Sequence, residues 1–84
     1  MIAVFDENVI WGVGANLELA VADAAKMIEV PDDLDIVTGQ RVEGILAAEC
    51  SDALAAMVEA KGGDIAWGWV DGVMVTEAEE DASI

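Results

Sequence analysis

Gly12 and Gly14, between an apolar run and a helix-like segment, come nearest in this chain to a chemical motif. In a dinucleotide-binding loop such glycines let the backbone approach a pyrophosphate, and a third glycine belongs where this chain has Leu17. Glu18 at the helix start would also repel phosphate, so the pair reads as a tight turn that needs unencumbered backbone. Asp32, Asp33 and Asp35 offer oxygen ligands. An EF-hand loop begun at Asp33, however, puts Val37 at the fifth position and Thr38 where the sixth-position glycine belongs. The acidic loop therefore reads as solvated, with no metal site. Cys50 has no histidine anywhere in the chain to activate it and reads as a small buried apolar group. No carboxylate pair sits in a recognisable hydrolase motif, and a chain this small leaves little room for a water-excluding cleft. No catalytic residue and no cofactor are expected, and the chain reads as a non-enzyme.

Charge is the stronger signal. Eighteen carboxylates face three basic side chains, a formal charge of −15 on 84 residues that are 56% hydrophobic. Acidic disordered chains carry few apolar residues, whereas this one carries enough to collapse. The expectation is one folded domain with a strongly negative skin. A net charge of magnitude about 8 already keeps a domain of this size dispersed, so solubility alone does not call for −15. Direct binding to nucleic acid or anionic lipid is disfavoured because no basic stripe exists to neutralise phosphates. A basic protein surface is the natural counterpart, approached at a steered, salt-sensitive rate. Adaptation to high salt is a competing explanation that the scarcity of lysine fits.

A single cysteine cannot form an internal disulfide, so nothing ties the chain to an oxidising compartment. The first residues carry no basic region and no long apolar run, unlike a signal peptide. No segment approaches the roughly 18 apolar residues of a membrane span. A cytoplasmic setting, with no membrane partner, is expected.

The elements that carry these residues follow from periodicity. Ile2 to Phe5 and Val9 to Val13 are apolar runs joined by Asp6-Glu7-Asn8, a hairpin. Asn16 is a good N-cap with Glu18 in the first turn behind it. Leu17, Ala20, Val21, Ala24, Met27 and Ile28 then form the apolar stripe of a helix that Pro31 stops. Val42 to Cys50 reads as a strand, although Leu46 to Glu49 also has good helix propensity. Ser51 caps a second helix with Leu54, Met57 and Val58 on its apolar side, ended by Lys61-Gly62-Gly63. Asp71-Gly72 joins Ile65 to Val70 with Val73 to Thr76 as a second hairpin. The predicted fold class is α+β: a single domain over 1–76 in the order ββαβαββ, one mainly antiparallel sheet with two helices packed on one face. Residues 77–84 are expected as a frayed acidic tail.

Trp67 and Trp69 share one strand face and read first as core, since each indole buries a large area. The sharper reading makes Trp69 and Trp11 apolar anchors for a partner or a second copy, because two helices cover only one face of a sheet that is apolar on both. Glu18, Asp23, Glu29, Asp32, Asp33, Asp35 and Glu59 are the candidate acidic contacts.

Val9-Ile10-Trp11-Gly12-Val13-Gly14, Leu19 to Ala24, Ser51 to Leu54 and Gly62 to Trp67 together resemble small acidic proteins of bacteriophages and other mobile elements. Anti-CRISPR proteins and antirestriction DNA mimics are the characterised groups among them. That resemblance implies a non-enzymatic inhibitor working in the host cytoplasm, binding the basic surface of a nucleic-acid-binding defence complex such as a CRISPR surveillance complex. The alternative is a small acidic oligomeric interaction module, such as a homodimer, whose charge serves solubility only.

Overall fold

The structure is a computed structural model that describes residues 1–6, 9–31, 34 and 44–82. Its elements run β1 (Ile2–Phe5), β2 (Ile10–Gly14), α1 (Leu17–Ala24), β3 (Leu46–Glu49), α2 (Asp52–Lys61), β4 (Trp67–Val70), β5 (Val73–Thr76) and α3 (Glu77–Ala82). The α+β class and the ββαβαββ order through residue 76 are as the pattern predicts, with α3 added at the end.

Local signals account for most element boundaries. The Asn16 side chain accepts the Leu19 amide at the start of α1, and Ser51 Oγ accepts the Leu54 amide at the start of α2. Gly62 ends α2 with φ +86°, a conformation that carries little cost without a Cβ. Asp71 and Gly72 both take positive φ, 51° and 80°, as a two-residue type I′ turn requires. Asp6 closes the first hairpin: its amide donates to the Val9 carbonyl and its carboxylate accepts the Val9 amide, both at 2.9 Å.

β1 lies at the centre of a three-stranded antiparallel sheet, β2-β1-β3, and is buried at all four positions. Its side chains alternate between two cores. Ile2 and Val4 join Ala47 and the α1 residues Ala20 and Ala24 on one face. Ala3 and Phe5 join Ala48, the α2 residues Leu54, Ala55 and Val58, and Met74 of β5 on the other. The two helices therefore take opposite faces of the sheet, not the single face expected from the sequence. The reason is that β1 is apolar on both sides, so each side needs its own cover.

Gly12 and Gly14 explain how α1 fits so closely. A Cβ on Gly12 would strike the backbone of Ala24, and one on Gly14 the backbone at Leu19 and Ala20. The glycines lie in β2 beneath the Ala20 and Ala24 stripe, so they serve helix–sheet approach and not the turn read from the sequence.

β4 and β5 form a separate two-stranded ribbon, so the expected single sheet is divided. The ribbon joins the rest through a parallel bridge between Cys50 and Met74 and through the Ser51 amide, which donates to the Met74 carbonyl at 2.9 Å. Phe5 lies edge-on to both Trp67 and Trp69, with ring centroids 6.0 and 5.9 Å away. Both indoles pack against the Phe5 cluster while remaining partly exposed.

Several boundaries differ from expectation: β3 starts at Leu46, inside the strand read over Val42 to Cys50, and β4 starts at Trp67 and not at Ile65. α1 stops at Ala24, well before Pro31, in a tightened turn where Lys26 N–H reaches the Asp23 carbonyl and Met27 N–H the Ala24 carbonyl. Met27 thereby leaves the apolar stripe and is 72% exposed. Residues 77–82 of the expected frayed tail are helical. Thr76 and Glu79 form a reciprocal capping box, with the Glu79 amide donating to Thr76 Oγ1 and the Thr76 amide to Glu79 Oε1.

Candidate functional site

Three residues singled out from the sequence come together from three different elements. Trp11 of β2, Asp23 of α1 and Glu59 of α2 line one groove of about 510 Å³. Val9, Met27 and Val58 add apolar lining, and Lys61 at the end of α2 and Gly62 to Asp64 beyond it form the far side. The groove follows the outer edge of β2, where the Ile10 amide donates to the Gly63 carbonyl at 3.0 Å. A Cβ on Gly63 would collide with Ile10, so this loop meets the strand only because position 63 is glycine.

Asp6 fixes the Trp11 ring. Its Oδ2 accepts the indole N–H at 3.0 Å while Oδ1 holds the Val9 amide. Trp11 is half-buried, one part packed against the α1-side core and another lining the groove.

The remaining candidates lie elsewhere. Glu18 is exposed in the first turn of α1, and Glu29 is exposed beyond its end. Neither lines the groove. Trp69 is half-buried, with its ring packed edge-on against Phe5, and does not line the groove. Asp32, Asp33 and Asp35 lie outside the described residues. Asp23 proves to be structural as well as acidic: its Oδ2 accepts the Val13 amide at 3.1 Å and its Oδ1 lies 3.5 Å from Lys26 Nζ.

That is the one ion pair among the described residues. Exposed carboxylates also occur at Glu49, Asp52, Asp64, Asp71, Glu77 and Asp81. One acidic group surrounds α3. Ser51 Oγ donates to Glu79 Oε1 at 2.6 Å, which sets the acidic start of α2 beside Glu77, Glu79, Glu80 and Asp81. Glu79 is held below the ordinary carboxylate range, chiefly by the Ser51 hydroxyl and then by the Thr76 amide. Burial pushes the Cys50 thiol up to about 11, assisted by Asp52 and Glu79 and opposed by the N-terminal ammonium.

Sequence reasoning did not single out Met27, Val58 or the Lys61–Asp64 loop as part of a site. Met27 fell on the apolar stripe of a helix expected to run further, and nothing local shows that the α2–β4 loop returns to β2. Among the described residues, no group of three or more potential metal-ligating side chains is gathered and no helix is long and apolar enough to cross a membrane. Compared with protein-family models, curated proteins and solved structures, the chain matches none.

Proposed function

We propose that this protein is a non-enzymatic inhibitor that offers its carboxylates to the basic nucleic-acid-binding surface of a host defence complex, in the manner of an anti-CRISPR protein. The observation that carries this reading is the scale of unneutralised negative charge on a folded scaffold. Nine exposed carboxylates (Glu18, Glu29, Glu49, Asp52, Glu59, Asp64, Asp71, Glu77 and Asp81) stand on the described surface, where one ion pair forms. Such a surface raises the encounter rate with a cationic groove and competes with phosphate for it.

The test is direct binding to purified Cas9-type and Cascade-type complexes at low and high salt, with target DNA as competitor. Binding that weakens steeply with salt and is displaced by DNA supports the proposal. Absence of binding to both complexes at low salt removes the basis for an anti-CRISPR role.

A further inference from the structure

We propose that the groove between β2, the end of α1 and the end of α2 docks a cationic amphipathic segment of the partner, with an apolar side chain inside and Lys or Arg at the rim. This deepens the reading above and rests on it. The apolar requirement comes from Trp11, Met27 and Val58, which line the groove together. Met27 is 72% exposed, the most exposed large apolar side chain among the described residues, so covering it removes apolar surface from water. Trp11 is already oriented by its bond to Asp6, so little order is lost when a ligand meets it.

The cationic requirement comes from the rim. Asp23, Glu59 and Asp64 outnumber Lys61 there, and Asp23 already faces Lys26. Glu59 and Asp64 are therefore the carboxylates left to a ligand. The groove also lies at the C-terminal end of α2, where the helix dipole favours positive charge. An indole beside these carboxylates adds a face on which an ammonium or guanidinium can rest. A second copy is disfavoured as occupant because it would bring another −15 charges to the same place. Nucleic acid is disfavoured for the same reason.

The probe is a synthetic peptide of alternating lysine and leucine, titrated into the full chain and followed by calorimetry and tryptophan fluorescence. The paired variant Glu59→Lys, Asp64→Lys is compared with Asp52→Lys, Asp81→Lys, which alters total charge equally at the other acidic region. The groove pair is expected to weaken binding about tenfold more than the control pair. Met27→Glu is expected to abolish the leucine-dependent part while leaving circular dichroism unchanged. Equal loss in both pairs overturns the groove and leaves diffuse acidic binding intact. No binding of the peptide, alongside retained binding of a CRISPR complex, likewise overturns the groove alone. Sedimentation that reveals a dimer dissolved by Met27→Glu assigns the groove to a second copy and overturns the proposal.

Discussion

The Asp23 carboxylate closes the open edge of β2 by accepting the Val13 amide at 3.1 Å. Alternate residues of an antiparallel edge strand point their amides outward, where another chain could pair with them. The same device recurs on the ribbon, where Glu80 accepts the Trp69 amide and Glu79 the Thr76 amide, each at 3.0 Å. Three members of the acidic surplus thus serve as edge closures, which separates them from the carboxylates free to meet a partner.

Replacing Asp23 by alanine should cost about 1–2 kcal/mol, since a half-buried amide loses a charged acceptor. At roughly 4–8 °C per kcal/mol for a domain of this size, thermal unfolding resolves that loss. Asp23→Asn keeps an acceptor oxygen and should lose less. An alanine variant as stable as the parent would show that water replaces the carboxylate without cost.

Glu79 makes stability depend on acid. Its folded-state pKa is lowered by Ser51 and Thr76, so its contribution is complete above the ordinary carboxylate range. The contribution is lost as pH falls through the lowered value. Denaturant midpoints of the parent and Glu79→Gln should therefore differ at neutral pH and converge in acid. A gap that persists unchanged in acid would place the effect in shape and not in charge.

Gly12→Ala should be costly for its size, about 3 kcal/mol, because the methyl group meets the Ala24 backbone and not a side chain that can turn aside. Gly62→Ala meets nothing within 4 Å and pays only for its backbone, φ 86° with ψ 176°, a region essentially confined to glycine, about 2 kcal/mol. Chemical denaturation of the two variants should rank them in that order.

Cys50 should resist alkylation in the native state. The residue is 4% exposed and its pKa is raised to about 11, so little thiolate exists at neutral pH and the side chain is shielded from reagent. Labelling should become fast on addition of denaturant. Prompt native labelling would mean that the contact between β3 and the ribbon opens readily.

Much of this architecture was written in local residue order. Asn16 and Ser51 start helices, Gly62 ends one, and Asp71-Gly72 turns a hairpin, because caps and turns are satisfied by neighbours within a few positions. Even the capping box of Thr76 and Glu79 lay in plain order, although the run of carboxylates around it read as a frayed tail. The opposite placement of the helices, the break between sheet and ribbon, and the meeting of Trp11, Asp23 and Glu59 were decided only in three dimensions. Periodicity tells which side of an element is apolar, but not which distant surface will cover it. The −15 charge was evident from composition, yet only the folded chain distinguishes Asp23, which closes a strand edge, from Glu59, which stands exposed at a groove. The distinction depends on amides brought into reach by packing, and no spacing along the chain encodes it.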